Sequence, residues 1–460
     1  MSLKNNNSAF QIILILLVVA FVGMFNETSL NVGISILIKD FDISASYAQW
    51  VTTGYLLILA VFVPISSLLM QWINTRRLFF YSVVISIIGL LIQGFSLNFE
   101  FLLIGRMIQA IGTAIILPLT FSVILSIIDE EKRGSIMGLL GLVLVMAPAI
   151  APAVSGIIID TLSWHWIMFI SIPIFLLCLV TGFKLLPDVG YITKPKINFI
   201  SIFLSFIAFS FTILGLNLIG DETLKYHFLY GFIVFAIGII SMYRFTIIQL
   251  KAESPILNLY AFKSSAFSIG SILIYVAMIL TLMVVVILPI YMINVLDFSS
   301  FESGMTLLLG GLIQGFVSPV VGKLFDQYGA KYLIYLGITF QIIALTGFLF
   351  LSNTTSVILI ITLHSLLMLG ISFVWMPAQT RGLNDLPEKL YSDGSAIMNT
   401  ITQLGGALGT SISVTLLTFV PGDNILSIKV VFSFALVIVL ISLLLVIRNN
   451  KYHTDITYIK

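Results

Sequence analysis

Long apolar stretches recur along the whole chain, and they constrain its fold more than any other feature. Each holds about 20 or more mostly apolar residues, the length that a helix needs to cross the hydrocarbon core of a bilayer. The stretches are continuous and lack the short alternating pattern of barrel strands, so they predict helices. We place fourteen spans, at 10–38, 48–70, 78–97, 101–127, 135–160, 166–185, 199–219, 227–248, 266–294, 303–324, 332–351, 356–377, 394–419 and 428–447.

Composition supports the same fold class. The chain is 59% hydrophobic and only 9% charged, whereas a soluble domain carries about 25% charged residues. A net charge of +2 leaves no broad basic surface for nucleic acid. We therefore predict an all-α polytopic membrane protein whose surroundings are the lipid bilayer.

The basic residues are distributed unevenly between the two sides of the predicted spans. Fourteen spans put both termini on one side, and the loops, tails and span ends of that side hold 18 of the 22 Lys and Arg residues. The other side holds 3, and Arg106 alone lies deep within a span. Because basic loops stay in the cytoplasm, this asymmetry predicts a multi-pass cell-membrane protein with both termini cytoplasmic.

Loop lengths divide the chain into three parts. The two longest connections, 186–198 and 249–265, flank the two central spans. We predict an N-terminal six-helix bundle over 1–185, a linker with two extra transmembrane helices over 186–263, and a C-terminal six-helix bundle over 264–460. Paired six-helix halves are typical of transporters, with the substrate site between the halves near the middle of the membrane.

A short connection after the tenth span carries a distinctive motif, GKLFDQYGAK. Gly322 and Gly329 allow close helix approach. Asp326 can pair with a cation such as Lys331 or with the N-terminus of a neighbouring helix. The alternative interpretation is a solvated turn without a special role.

The corresponding connection of the first half reads SLLMQWINTRR and is a weaker copy of that motif. Ser67 stands where the second half has Gly322, and Gln71 stands where it has Asp326. The two copies are 255 residues apart, about half of the chain, as an internal repeat requires.

Further motifs follow in a consistent order, and together they resemble the major facilitator superfamily. The chain is most similar to its fourteen-helix drug:proton antiporter branch, and within it to the lincomycin-export subgroup. Asn26 takes the position of an acid in that branch, and His165 and Ser171 also depart from its pattern. The matching segments are NETSLNVGIS at 26–35, RMIQAIGTA at 106–114, APAIAPAVSG at 147–156, SWHWIMFISIP at 163–173, GKLFDQYGAK at 322–331 and SAIMNTITQLGGALGT at 395–410.

This resemblance implies two pseudo-symmetric six-helix bundles and a gating role for several residues. It implies that Asp326 closes the cytoplasmic side by contacting the start of the fifth span, around 133–135. Pro148 and Pro152 lie in the segment that resembles the antiporter motif, where two prolines four residues apart create a bend. The expected gating residues are Pro148, Pro152, Gly322, Asp326, Gly329 and Lys331.

One acidic residue, Glu27, and one Lys or Arg residue, Arg106, lie deep in the predicted spans. Charges at this depth are costly, so they usually face a cavity and have a function. A carboxyl group that binds and releases a proton inside the membrane is what a proton carrier needs. We predict that Glu27 and Arg106 form a proton-coupling site, with a purely structural ion pair as the alternative. Whether the two side chains touch stays open.

Polar and aromatic residues scattered through the spans suit a cavity for bulky, lipophilic cations. Plain packing is an equally good explanation for any one of them. The candidate substrate-pocket residues are Tyr55, Gln109, Tyr291, Trp375, Asn399 and Gln403.

The leading functional hypothesis is a proton-coupled antiporter that exports lipophilic, often cationic, drug-like compounds by alternating access. We expect a monomer with small molecules and protons as partners, no cofactor, and the proton gradient as energy source. The sequence lacks the P-loop that direct ATP drive requires. One alternative is export of a lipid or endogenous metabolite by the same mechanism. A membrane-embedded enzyme is less consistent, because four histidines and one cysteine form no convergent catalytic set.

Overall fold

A computed structural model describes residues 6–31, 33–43, 45–48, 50–189, 192–194, 199–219, 226–252, 255–298, 300–418 and 424–448. Within these ranges the chain forms sixteen α-helices and no strand, which confirms the predicted fold class. The helices are α1 (Asn6–Ser29), α2 (Ile34–Phe41), α3 (Ala45–Ala48), α4 (Trp50–Trp72), α5 (Thr75–Gly94), α6 (Phe99–Ile127), α7 (Glu130–Thr161), α8 (His165–Leu185), α9 (Phe199–Ile219), α10 (His227–Lys251), α11 (Ser265–Asn294), α12 (Ser300–Tyr328), α13 (Ala330–Phe348), α14 (Val357–Asn384), α15 (Tyr391–Thr418) and α16 (Asn424–Arg448).

Thirteen of the described helices are long and apolar enough to cross a membrane. The remaining predicted span, 394–419, corresponds to α15, which has 28 residues but is richer in Ser, Thr and Gly. This helix packs against α4, α6, α9, α11 and α16. Because protein surrounds it on several sides, α15 can carry more polar residues than a helix that faces lipid.

The first predicted span differs from the structure. A single helix over 10–38 was expected, but α1 ends at Ser29 and the separate helix α2 begins at Ile34. Leu30, Asn31 and Gly33 lie in turns between them, and the N–H of Asn31 donates to the carbonyl oxygen of Thr28. The helix stops here because its last carbonyl oxygens accept hydrogen bonds from another helix, as the next subsection describes.

Helix packing repeats between the two halves of the chain. α5 packs on α6 and α8, as α13 packs on α14 and α16. α4 packs on α6, as α12 packs on α14. α1 packs on α6, α7 and α8, as α11 packs on α14, α15 and α16. The two six-helix groups are therefore built in the same way, which is the predicted pseudo-symmetry.

The two inserted helices pair with each other. α9 and α10 pack closely along their lengths, and α9 also contacts α4 and α15. Their outer surface is strongly apolar, with Phe199, Phe203 and Tyr243 each more than half exposed. A surface of this kind is compatible with lipid contact.

The two groups meet through α7 with α12 and through α4 with α15. A Cβ on Gly138 of α7 would lie 2.6 Å from the Ser318 carbonyl oxygen of α12, so only glycine permits this approach. We call one end of the bundle the basic face. It comprises the connections 73–74, 128–129, Gly329 and 385–390, together with the Lys and Arg residues that flank them.

The close approach of α5 and α6 generates a stability prediction. A Cβ on Gly89 would lie 2.6 Å from the Gln109 nitrogen and 2.7 Å from the Gly105 carbonyl oxygen. Backbone atoms cannot move aside, so Gly89→Ala should destabilise the protein by about 1–3 kcal/mol. The check is thermal unfolding of the purified protein in detergent.

Gly304→Ala is the matched control, because nothing lies within 4 Å of the Cβ that it would add. In a helix this change should be neutral or stabilising. Equal melting temperatures for Gly89→Ala and wild type would contradict the packing argument.

Candidate functional site

The end of α1 and the side chain of Arg106 form one unit. The last four carbonyl groups of a helix have no partner in their own helix. Arg106, fully buried on α6, donates from Nη1 to the Asn26 carbonyl oxygen at 2.7 Å and from Nη2 to the Glu27 carbonyl oxygen at 3.0 Å. Its Nε donates to the Val51 carbonyl oxygen of α4 at 3.3 Å. A cation at the negative end of the helix dipole is favourable, and here it joins three helices.

The ring of Tyr55 completes this arrangement on the other side of the guanidinium. Arg106 Cζ lies 4.3 Å from the centroid of the ring, within the range of a cation–π interaction. The Tyr55 hydroxyl donates to Thr113 Oγ1 of α6 at 2.9 Å. Tyr55, a predicted pocket residue, thus lies in direct contact with the predicted coupling residue Arg106.

The carboxyl group of Glu27 lies at the same helix end but is not paired with Arg106. In the described chain the two side chains form no ion pair, although their charges act on each other through space. Glu27 Oε2 is buried and has no hydrogen-bond partner. An oxygen in this state is costly unless it binds a proton or a ligand. The contact left open by the sequence is therefore between the guanidinium and the Glu27 backbone.

A buried polar contact beside this unit was not anticipated. Asn26 donates from Nδ2 to Ser171 Oγ of α8 at 3.0 Å and to the Val22 carbonyl oxygen at 2.8 Å. Asn26 and Ser171 are two of the positions at which the sequence departs from the family pattern. Their contact indicates that the two departures belong together, a link that a single sequence gives no direct signal for.

Gln109 lies elsewhere than the predicted pocket suggests. Gln93 of α5 donates to its Oε1 at 3.0 Å, so the Gln109 side chain is held between α5 and α6. It does not bridge Glu27 and Arg106. A direct role in substrate contact stays a prediction.

The four remaining pocket candidates lie on three helices of the second half, α11, α14 and α15. Trp375, Asn399 and Gln403 are half-buried on α14 and α15, and Trp375 donates to Gln379 Oε1 at 3.2 Å. Asn399 and Gln403 lie one turn apart on one face of α15. Tyr291 instead is fully buried among second-half helices and donates to the Ser352 carbonyl oxygen at 2.7 Å. The structure does not bring Tyr291 to the other candidates.

At the basic face, Asp326 contacts the start of α7. Its Oδ1 accepts from the Gly134 N–H at 2.8 Å, and its Oδ2 accepts from the N–H of Ser135 at 2.8 Å and from the Ser135 hydroxyl. Gly134 and Ser135 lie in the second turn of α7, and a carboxylate near the N-terminal end of a helix complements the helix dipole. The second-half motif thus joins α12 to α7, and so one six-helix group to the other.

The two glycines of the motif support this contact, whereas the other expected gating residues do not take part in it. Gly329 has φ +72°, which glycine adopts without strain, and it lets α13 begin one residue after α12 ends. Gly322 lies directly against the Gly134 backbone. Lys331 lies near the ring of Tyr332 at the start of α13. Pro148 and Pro152 both belong to the unbroken helix α7, and the bend expected there stays a prediction.

Arg133 forms a second contact between the groups. It donates from Nη1 to Asn384 Oδ1 at 3.0 Å and to the Tyr391 hydroxyl at 3.2 Å. It also donates to the carbonyl oxygens of Leu125 at 2.6 Å and Ile128 at 3.0 Å, at the end of α6. Arg133 therefore caps one helix and reaches across to the opposite group.

Comparisons with known proteins agree with this architecture. The family model described as Major Facilitator Superfamily matches residues 16–410. The lincomycin resistance protein LmrB of Listeria innocua is 45% identical, over 87% of this chain and 85% of that protein. LmrB of Bacillus subtilis is 41% identical, over 91% of this chain and 87% of its own. The crystal structure of the human organic anion transporter MFSD10 superposes with a TM-score of 0.68 at 11% identity, covering 95% of this chain and 99% of the other.

The Arg106 unit generates a prediction about a conservative change. Arg106→Lys keeps the charge, but one ammonium cannot reproduce the planar fork that reaches three carbonyl oxygens. At least one buried carbonyl then lacks a partner, so we expect a loss of about 1–3 kcal/mol in the free energy of unfolding. Thermal unfolding in detergent, compared with Arg77→Lys on the exposed start of α5, provides the measurement and its control. Equal losses in both variants would refute the capping role.

Proposed function

The chain belongs to the major facilitator superfamily and is a transporter, and on that premise we propose that it is a proton-coupled drug exporter. It exchanges external protons for lipophilic, often cationic, compounds from the cytoplasm by alternating access. The observation that carries the proposal is the unpartnered carboxyl oxygen of Glu27, buried at a helix end that Arg106 fixes in place. The proton gradient supplies the energy.

The chemistry of the Glu27 site supports exchange of a proton for a cation. The Arg106 guanidinium is occupied by backbone carbonyl oxygens, so it holds the helix end without neutralising the carboxylate directly. A proton and a positively charged substrate group then compete for the same carboxyl oxygen. Proton binding from the outer, acidic side releases the substrate, and loss of the proton to the cytoplasm restores the site.

Drug-like substrates are the first class to test. Two relatives that are 41–45% identical are named for lincomycin resistance, which makes lincomycin the first compound of a substrate panel. The half-buried Trp375, Asn399 and Gln403 offer an aromatic face and amide groups to such a compound. An endogenous lipid or metabolite as the better substrate would be an outcome of the same panel.

The distribution of charge supports an orientation. The basic face carries Arg76, Arg77, Arg133, Lys331 and Lys389 around its connections. By the positive-inside rule we assign this face to the cytoplasm, with the protein in the cell membrane as a monomer and both termini inside. The contacts of Asp326 and Arg133 then close the cytoplasmic side.

Glu27→Gln tests proton coupling. Glutamine keeps the shape of the side chain and mimics its protonated state, so substrate-driven proton movement should be abolished while the protein still folds. Downhill exchange of substrate should survive, because that step moves no proton. Glu27→Asp should retain partial coupling, since it is ionisable but about one methylene shorter. The measurement is lumenal pH in proteoliposomes when lincomycin is added under an imposed pH gradient.

Glu100→Gln on the exposed outer end of α6 is the matched control for this experiment. It makes the same chemical change outside the Arg106 unit and should couple as wild type does. Wild-type proton movement in Glu27→Gln would exclude Glu27 as the coupling site. If lincomycin drives no proton movement in the wild-type protein but another compound of the panel does, the substrate class changes. The Glu27→Gln comparison is then made with that compound.

Asp326→Asn tests the gate. The asparagine amide can accept at its oxygen, but its NH₂ group cannot accept from the two Ser135 donors. The closed state should lose about 1.5–3 kcal/mol for the charged hydrogen bonds. Transport should slow while substrate binding in detergent persists, as initial rates and binding titrations would measure.

Asp385→Asn is the control at the same face. Asp385 is exposed, and its carboxylate accepts a hydrogen bond from the hydroxyl of Ser264. Ser264 directly precedes α11, so this bond stays within one six-helix group. A transport rate equal to wild type in Asp326→Asn would refute the gating role.

A further inference from the structure

The contact between α4 and α15 is the symmetry counterpart of the contact between α12 and α7. The packing repeat pairs α4 with α12 and α7 with α15, because each occupies the same place in its group. In one contact, Asp326 of α12 binds the start of α7. The repeat therefore predicts an acid on α4 that binds near the start of α15. The position that corresponds to Asp326 is occupied by Gln71.

Gln71 does not make the expected contact. Its Oε1 accepts from the Thr193 hydroxyl at 3.1 Å, and its carbonyl oxygen accepts from the N–H groups of Thr193 and Lys194. The segment after α8 therefore occupies the Gln71 side chain. Ser395 of α15 corresponds to Ser135 of α7. Its Oγ is buried without a hydrogen-bond partner, whereas the Ser135 hydroxyl donates to Asp326.

An acid is present at this contact, but on the opposite helix. Both helices carry a Gly–Ser pair within their first two turns, Gly134–Ser135 in α7 and Gly394–Ser395 in α15. The residue before the second pair is Asp393. Asp393 is 2% exposed. Its Oδ1 accepts from the Ser67 hydroxyl of α4 at 2.6 Å and from the Asn258 N–H at 3.1 Å.

The setting of Asp393 favours a strong hydrogen bond across the groups. Ser67 is itself fully buried, and it occupies the place that Gly322 has in the second half. Asp393 lies in the first turn of α15, where the helix dipole stabilises a carboxylate. Asn258 follows α10, so the connection from the inserted helix pair holds the carboxylate in position from its own side.

We propose that Asp393 and Ser67 form a second latch that closes the basic face, with the acid moved from α4 to α15. The inference rests on the alternating-access part of the proposed function and is independent of substrate and proton coupling. Asp393 is a positioning residue, because it acts by holding α4 against α15. Opening of the basic face must break the bond to Ser67 and can keep the bond to Asn258.

The test measures the opening of the basic face directly. The only cysteine of the sequence, Cys178, is buried and is first replaced by Ala. Arg77→Cys and Tyr332→Cys then place one spin label on an exposed residue of each six-helix group. Pulsed electron–electron double resonance on the full-length protein in nanodiscs then gives the populations of short and long distances. Ser67→Ala should raise the ratio of open to closed molecules about tenfold, because a hydrogen bond to a charged acceptor is lost.

The neighbouring residue supplies a matched control. Ser66 is as buried as Ser67, but its hydroxyl donates to the Val63 carbonyl oxygen of its own helix at 2.6 Å. Ser66→Ala should leave the distance distribution unchanged. Ser67→Thr keeps the hydroxyl and should therefore show the closed population of the wild-type protein. Asp393→Asn should open the face, and adding Ser67→Ala to it should have little further effect.

Two results would overturn the proposal. One is an unchanged distribution in Ser67→Ala, and the other is an equal shift in Ser66→Ala and Ser67→Ala, which would indicate a general packing effect. Asp326→Asn in the same spin-labelled protein reports on the first latch separately. Because no substrate is added, failure of lincomycin transport would leave this result interpretable.

Discussion

The guanidinium of Arg106 is the interaction on which the arrangement of the first half depends. It donates to the carbonyl oxygens of Asn26 and Glu27, two of the last four residues of α1, so these groups keep hydrogen-bond partners where α1 stops at Ser29 inside the protein. The same group reaches α4 through Val51 and lies on the Tyr55 ring. Because these contacts occupy the cation, the carboxyl group of Glu27 stays available beside it. The contacts that fix the end of α1 therefore also leave a buried carboxyl oxygen of Glu27 without a hydrogen-bond partner.

Arg133 repeats this principle at the basic face. It caps the end of α6 through the carbonyl oxygens of Leu125 and Ile128, and it reaches Asn384 and Tyr391 of the opposite group. Small residues between α7 and α12 let the backbones approach, while side-chain bonds concentrate at one end. Such an interface can open at that end without disrupting the packing inside either group, which suits rigid-body motion of the two halves.

Two departures from the family pattern are each matched by a second residue across a helix contact. Asn26 and Ser171, each unusual by itself, are hydrogen-bonded to each other. Gln71 lacks the acid of its repeat, and an acid appears at Asp393 across the same contact. In both cases the changed position lies at a contact between helices where another residue supplies a hydrogen bond. A motif read along one segment misses this, because the compensating residue lies more than a hundred positions away.

The sequence by itself determined the all-α membrane fold, thirteen of the fourteen span positions and the repeat between the halves, and it singled out Glu27, Arg106 and Asp326 as candidate residues. Apolar length, buried charge and local motifs are properties of short segments, which is why the sequence reveals them. Only the tertiary structure decided where α1 breaks, which atoms Arg106 binds, that Gln109 faces α5 and that Tyr291 lies apart from Trp375. It also revealed Asp393, which the sequence presents as one more acid at a span end. The physical reason is that burial and hydrogen-bond partners arise from helix packing, and one helix face can be assigned to a neighbour only after the chain has folded.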